Sequence, residues 1–111
     1  MQRKFRLSRS TDFKRVRRDG KSYAHPLLVL IAIENQLSIT RVGVAAGKSV
    51  GNAVKRNRAK RLIRAAAREL YPQTASGYDL VLIARSPIIQ VKMPKVRTAL
   101  QQLLQRASLY I

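Results

Sequence analysis

The sequence predicts an α/β sandwich in which helices pack on a central sheet of about four strands. The chain has 111 residues, and 46% of them are hydrophobic, which is enough to form one buried core. Apolar segments of strand length alternate with longer amphipathic segments of helical periodicity. A strand, helix, strand run indicates a crossover between strands of one sheet. We therefore expect a single domain over residues 1–111, in the order helix, two or three strands, helix, strand, helix.

The first helix is predicted over about residues 11–18. Ser10 is expected to cap its N-terminus, and Gly20 is placed to end it. Phe13 and Val16 lie three residues apart and share one helix face. This helix therefore has a narrow apolar anchor beneath a densely basic surface.

Three strands are clearly predicted, and a fourth is weakly indicated. Residues 27–33 are all apolar, so we expect a strand buried on both faces, followed by a turn at residues 34–36. Further strands are expected over about 39–46 and 78–84, where branched apolar residues lie between turn-forming residues. The weak signal is a short strand near residues 22–24.

Two longer helices complete the prediction. The first covers about residues 52–70 and is stopped by Pro72, because proline cannot continue a helix. The last begins near Pro94, since proline is favoured in the first turn, and it continues to about residue 108. Its inner face is expected to consist of Val96, Leu100, Leu103, Leu104 and Ala107.

The charge of the chain favours a polyanionic partner. There are 23 Lys and Arg residues against 5 Asp and Glu, and the formal net charge is +18. Residues 1–20 and 48–68 each contain eight of the basic residues, and residues 1–9 form a basic N-terminal tail. By charge alone, the partner is either nucleic acid or an anionic membrane surface.

Membrane insertion and secretion are not expected. The longest apolar run, at residues 27–33, has seven residues, whereas roughly 20 are needed to span a bilayer. The basic N-terminus is not followed by an apolar signal core, so we expect no cleaved secretion signal. The chain has no cysteine, which suits a reducing compartment, and we expect a cytoplasmic protein.

The helix predicted at residues 52–70 has one apolar and one basic side. At 100° per residue, four apolar residues fall within about 60° of Ala59, namely Leu62, Ile63, Ala66 and Leu70. The opposite side and its flanks, here called the cationic face, consist of Arg56, Asn57, Arg58, Lys60, Arg61, Arg64 and Arg68. No acidic residue lies between Glu34 and Glu69, so intrahelical ion pairs do not account for this face. Guanidinium groups on successive turns can hold several phosphates, so we expect contact with nucleic acid.

The same helix carries a family resemblance. Residues 51–64 read GNAVKRNRAKRLIR, and this block resembles the signature of the bacterial ribonuclease P protein component, whose Arg-Asn-Arg triplet stands here at Arg56, Asn57 and Arg58. Further matches in the order and approximate spacing of the family are Arg6-Leu7, Asp12-Phe13, Val16, Gly20, residues 41–44 and residues 79–85. The resemblance therefore covers nearly the whole chain, from about residue 6 to residue 108.

The resemblance implies that the crossover between parallel strands is left-handed, although such crossovers are usually right-handed. It also implies two RNA-binding surfaces. The cationic face is implied to bind the catalytic RNA of ribonuclease P. A cleft between the first helix and the sheet is implied to receive the single-stranded 5′ leader of precursor transfer RNA, through Phe13 and Lys48 with Arg17 and Ile31 nearby. Arg17 and Ile31 replace aromatic residues common in the family, so this cleft is expected to rely more on phosphate pairing than on stacking.

No catalytic residue is expected on the protein. Cleavage of RNA by protein groups needs a paired acid and base, or a carboxylate cluster that holds metal ions. The chain has one histidine, His25, and no two of its five acids are closer than seven residues in sequence. The resemblance likewise implies that metal-bound RNA performs the hydrolysis, with Mg²⁺ held mainly by RNA and none assignable to this chain. The implied partners are the catalytic RNA and precursor transfer RNA, with no obligate protein partner and no membrane.

Two other interpretations of the residues stay open. A structural RNA-binding protein similar to a small ribosomal protein would share the charge, the size and the fold class, and only the block at residues 51–64 separates it from the family above. A cationic membrane-active peptide is less favoured, because the basic helix has alanines on its inner side and lacks aromatic residues for insertion.

Overall fold

A computed structural model describes residues 2–111 of the chain, and its elements follow the predicted order. The helices and strands are α1 (Ser10–Asp19), β1 (Lys21–Ala24), β2 (Leu28–Glu34), β3 (Arg41–Ala45), α2 (Ala53–Leu70), β4 (Tyr78–Ala84) and α3 (Met93–Arg106). Short 3₁₀ turns occur at Arg3–Phe5, Lys48–Val50, Tyr71–Gln73 and Ser86–Gln90. The α/β class is confirmed, and so is the weakly indicated strand β1.

The four strands form one mixed sheet in the order β1-β2-β4-β3. β2 pairs antiparallel with both β1 and β4, whereas β3 runs parallel to β4. Because β3 and β4 are parallel neighbours joined through α2, the predicted strand, helix, strand crossover within one sheet is confirmed. The left-handed sense of this crossover stays a prediction.

The sheet is covered on both sides. The larger apolar cluster includes Leu28 and Leu30 of β2 together with buried residues of α2 and α3, and β2 packs against α3. The smaller cluster contains Leu7, Val16 of α1, Ile31 of β2 and Val81 of β4. Successive residues of a strand point to opposite sides, so Leu30 and Ile31 belong to different layers. Burial on both faces was expected for β2 and explains its uninterrupted apolar sequence.

Several predicted boundaries differ from the structure by one or two residues, and two of these differences have identifiable reasons. Ser10 is the first residue of α1 and not its cap, because the Phe13 N–H donates to the carbonyl of Arg9 at 3.1 Å and closes the first turn one residue earlier. β3 begins at Arg41, two residues later than expected. The Thr40 hydroxyl donates to the carbonyl of Ala75 at 2.6 Å and accepts from the Tyr78 N–H at 3.2 Å, so Thr40 anchors a turn instead of extending the strand.

The segment predicted as a basic N-terminal tail contacts the sheet edge. Arg6 forms a parallel bridge with Val42, and the Leu7 N–H donates to the Val42 carbonyl at 2.9 Å. Leu7 is 4% exposed, and the Phe5 ring lies 5.1 Å from the ring of Tyr71. Residues 5–7 therefore lie along β3, the strand that would otherwise form a free edge.

No helix within residues 2–111 has the length and hydrophobicity required to span a bilayer.

Candidate nucleic-acid interface

The start of α2 is fixed by Gly51 and Asn52. Gly51 has φ +134°, a conformation that residues with a Cβ rarely adopt, and a Cβ built there would lie 2.7 Å from Cδ of Lys55. Asn52 is the N-cap, because its side chain accepts a hydrogen bond from the Lys55 N–H at 3.0 Å. These two residues set where the helix begins and thus which side chains its outer side presents.

The rotation of α2 follows from its apolar side. Ala59, Ile63, Ala66 and Leu70 are fully buried against the sheet and α3. Their spacing of three or four residues places them on one side of the helix, so the opposite side points to solvent. Leu62, predicted on the same inner side, is half-buried at its margin.

The structure brings the seven residues of the cationic face together on the outer side of α2. Asn57, Arg58, Arg61, Arg64 and Arg68 are exposed, whereas Arg56 and Lys60 are half-buried on the flanks. No ion pair among residues 2–111 includes a member of this face. The one acid within α2, Glu69, pairs with Arg97 of α3 at 3.3 Å. The positive charge of this face is therefore not compensated by any ion pair within the part of the chain that the structure describes.

The four residues that were predicted to form a leader cleft between α1 and the sheet differ in exposure. Phe13 is half-buried over β3, where a Cβ built on Gly43 would lie only 2.6 Å from Cζ of Phe13. Arg17 and Lys48 are exposed. Ile31 is 7% exposed in the smaller apolar cluster beneath α1, so it offers little surface to a bound leader.

Sequence reasoning missed a row of apolar residues beside α1. Val29 of β2 pairs with Ile83 of β4, which in turn pairs with Ala45 of β3, and all three are half-buried. They occupy the side of the sheet that carries α1. Val29 and Ile83 lie two residues along their strands from the buried Ile31 and Val81, respectively. The alternation of side chains along β2 and β4 would have identified them once the pairing was known.

A buried carboxylate fixes α1 on the sheet, and the sequence did not reveal it. Asp79 is fully buried and accepts hydrogen bonds from Arg41 Nε at 2.9 Å, Arg41 Nη2 at 2.7 Å and Asn35 Nδ2 at 3.0 Å. Arg15 of α1 donates a further, short hydrogen bond to the same carboxylate. Burial opposes ionisation of Asp79, but these hydrogen bonds and the charge of Arg41 outweigh it and lower its pKa to about 2.

His25 and the two acids of α1 have local bonding partners. The Nδ1 atom of His25 accepts a hydrogen bond from the Leu27 N–H at 3.0 Å, which stabilises the turn between β1 and β2. Among residues 2–111, no three His, Cys, Asp or Glu side chains converge as metal ligands. Asp12 and Asp19 pair with Arg15 and Arg18, respectively.

The fold and this interface together define a small basic α/β protein of the nucleic-acid-binding class. A protein-family model described as Ribonuclease P matches residues 1–108. The chain therefore belongs to the bacterial ribonuclease P protein family, as the block at residues 51–64 indicated. It is a component of ribonuclease P, the endoribonuclease of transfer RNA processing, and membership of this family implies association with the ribonuclease P RNA.

Similar proteins match over nearly their whole length. The ribonuclease P protein component of Roseiflexus castenholzii is 44% identical over 108 residues, which cover 96% of this chain and 88% of the relative. That of Herpetosiphon aurantiacus is 40% identical over 110 residues, covering 99% and 89%.

Solved structures share the fold. The Staphylococcus aureus RNase P protein has a TM-score of 0.84 at 28% identity, covering 96% of this chain and 98% of that one. The Thermotoga maritima RNase P protein has a TM-score of 0.82 at 30% identity, covering 91% and 96%.

Proposed function

We propose that this chain binds the catalytic RNA of ribonuclease P through its cationic face and the 5′ leader of precursor transfer RNA through the cleft beside α1. The observation that carries the proposal is the cationic face itself, which is directed to solvent and has no acidic partner among residues 2–111. Residues 1–111 are proposed to act as one domain, since both apolar clusters share the single sheet.

The dimensions of α2 suit a run of phosphates. The helix has 18 residues and is therefore about 27 Å long, and successive turns are separated by about 5.4 Å. Arg61, Arg64 and Arg68 recur every three or four residues, so each can reach a different phosphate. Arginine can hold two phosphate oxygens at once, which favours these side chains over lysine for a folded RNA backbone. Such contacts give affinity and orientation, with little dependence on base sequence.

The leader site is proposed to combine phosphate pairing with modest apolar contact. Arg17 and Lys48 are exposed and can pair with leader phosphates, while half-buried Phe13 offers one aromatic surface. Ile31 supports the cleft from below. The half-buried row at Val29, Ile83 and Ala45 offers further apolar surface for bases.

Hydrolysis is proposed to take place on the RNA subunit, with Mg²⁺ held mainly by RNA. This part of the proposal is supported by the engagement of the carboxylates, since Asp79 is buried between two arginines and Glu69 pairs with Arg97. The protein contributes charge neutralisation, which lowers the Mg²⁺ concentration that the RNA needs. The proposed place of action is the cytoplasm, where bacterial transfer RNA precursors are made.

Reconstitution with the catalytic RNA at low Mg²⁺ tests the proposal. Wild-type protein is expected to stimulate leader removal, and Arg58→Ala/Arg61→Ala is expected to need a higher protein concentration for the same stimulation. Lys92→Ala/Lys95→Ala is the matched control, because it removes the same charge from exposed residues at the start of α3. No stimulation by wild-type protein would reject the function, and equal effects of the two double variants would reject the assigned surface.

Leader binding is tested separately from RNA-subunit binding. Arg17→Ala and Lys48→Ala are expected to weaken the affinity of the holoenzyme for precursor transfer RNA while its affinity for mature transfer RNA stays the same. An equal loss for both substrates would reject the leader cleft.

A further inference from the structure

A cavity lies at the edge of the sheet between the N-terminal segment, β3 and α2, and most of its lining is not part of the predicted leader cleft. Its volume is about 410 Å³, within the range of roughly 300–1,000 Å³ usual for ligand pockets. The lining residues are Arg6, Leu7, Ser8, Phe13, Val42, Val44, Arg64, Ala67 and Arg68. Phe13 is the one residue shared with the leader cleft, whose other predicted members lie elsewhere.

The cavity has an apolar floor and an aromatic wall. Leu7, Val42 and Ala67 are buried and Val44 is half-buried, so the floor is fixed by the packing of the core. The ring of Phe13 can reach this position because Gly43 has no side chain beneath it. Such a surface accepts a flat, weakly polar group such as a nucleobase, by stacking and apolar contact.

The rim of the cavity is cationic. Arg6, Arg64 and Arg68 line it, no carboxylate does, and none of the three forms an ion pair among residues 2–111. Arg64 and Arg68 are four residues apart on α2, so their side chains are neighbours on one helix side. A ligand with a planar ring and an adjacent phosphate therefore matches both the floor and the rim.

We infer that this cavity holds one unpaired nucleotide of the catalytic RNA, with its base against Phe13 and the apolar floor and its phosphate on Arg64 and Arg68. The inference rests on the proposed function, because Arg64 and Arg68 belong to the cationic face assigned to that RNA. The cavity thus adds one stacked base to an interface otherwise made of phosphate contacts. Loss of one stacked base is expected to weaken binding roughly 5- to 100-fold.

Blocking the cavity without changing charge separates stacking from phosphate binding. Ser8 is exposed at the cavity wall, so Ser8→Trp is expected to fill the space without disturbing the core. It should weaken binding of the catalytic RNA roughly 5- to 100-fold. The salt dependence should not change, since no cation is lost. Ser38→Trp, in the exposed turn between β2 and β3, is the matched control and is expected to bind as the wild type does.

A second measurement locates the nucleotide. A photoreactive benzoylphenylalanine at position 8 is expected to cross-link one unpaired nucleotide of the catalytic RNA in the absence of substrate. An abasic substitution at that nucleotide should weaken wild-type binding as Ser8→Trp does, and it should have little further effect on that variant. Absence of a cross-link to the catalytic RNA until precursor transfer RNA is added, or cross-links spread over many RNA positions, would overturn the inference.

Failure of the inference can be told from failure of the proposed function by including Arg61→Ala, which lies outside the cavity. Wild-type affinity of Ser8→Trp overturns the cavity assignment in every case. If Arg61→Ala binds the catalytic RNA more weakly in the same assay, the assignment of the cationic face is still supported. If its affinity is unchanged, both the cavity and the cationic face are wrongly assigned.

Discussion

Replacing Asp79 with Asn tests how α1 is held on the sheet. The carboxylate is fully buried and bound by Arg15, Arg41 and Asn35, and its pKa is lowered from 3.8 to about 2. A shift of about 1.8 units at about 1.36 kcal/mol per unit corresponds to roughly 2.5 kcal/mol of stability. Arg41 loses its charged partner, whereas Arg15 keeps its pair with Asp12. The side chains of Arg15 and Arg41 are 33% and 28% exposed, so water limits any further cost. We therefore expect Asp79→Asn to lower the free energy of unfolding by about 2–3 kcal/mol.

Urea and thermal unfolding of the full chain measure this loss. For a domain of this size, the expected fall in Tm is roughly 10 °C. Asp19→Asn is the control, because it makes the same chemical change at an exposed residue whose pair with Arg18 lies on the surface. If Asp79→Asn unfolds like the control, with a change below about 0.5 kcal/mol, the carboxylate does not hold the helix as argued.

Three further predictions test contacts described in the structure. Because the pKa of Asp79 is lowered in the folded protein, the ionised carboxylate stabilises the fold above about pH 4, and this contribution is lost as pH falls toward 2. Urea unfolding at stepped pH should show this loss of stability for the wild type, and Asp79→Asn should not show it. Asn52→Ala removes the cap of α2 and should cost about 1 kcal/mol in urea unfolding, whereas an unchanged midpoint would show that the cap is dispensable. Gly43→Ala places a Cβ 2.6 Å from the Phe13 ring and should lower the free energy of unfolding by about 1–3 kcal/mol. Gly47→Ala is the control, because a Cβ there has no atom within 4 Å, and it should be nearly neutral. Equal stability of the two variants would contradict the close approach of Phe13 to Gly43.

The parts of the fold that depend on local sequence were predictable. β4 occupies Tyr78–Ala84, the range predicted from its apolar run and flanking turn residues. α2 begins one residue after Asn52 and ends at Leu70, because the cap and Pro72 act within one helical turn. The start of β3 was not predictable, since it depends on hydrogen bonds of Thr40 with Ala75 and Tyr78, which are more than 30 residues away in sequence.

The same distinction applies to the interface. The cationic face depends on helical periodicity alone, so its seven residues could be placed on one side from the sequence. The partners of Asp79 are 64 and 38 residues away, at Arg15 and Arg41, so no local pattern indicates them. Ile31 was assigned by resemblance to a cleft, but α1 covers it, and its burial depends on how the helix crosses the sheet. The cavity beside Ser8 likewise requires four separate segments to meet.

The central claim is that the outer side of α2 binds RNA by neutralising phosphates, and the salt dependence of binding tests it most directly. Affinity of the full chain for the catalytic RNA should be measured between 50 and 200 mM salt. If about five phosphates are engaged, affinity should fall roughly 10²- to 10³-fold over this range, and Arg58→Ala/Arg61→Ala should reduce the slope of the log–log plot by about 2. A flat salt response, or an unchanged slope in the double variant, would contradict the claim.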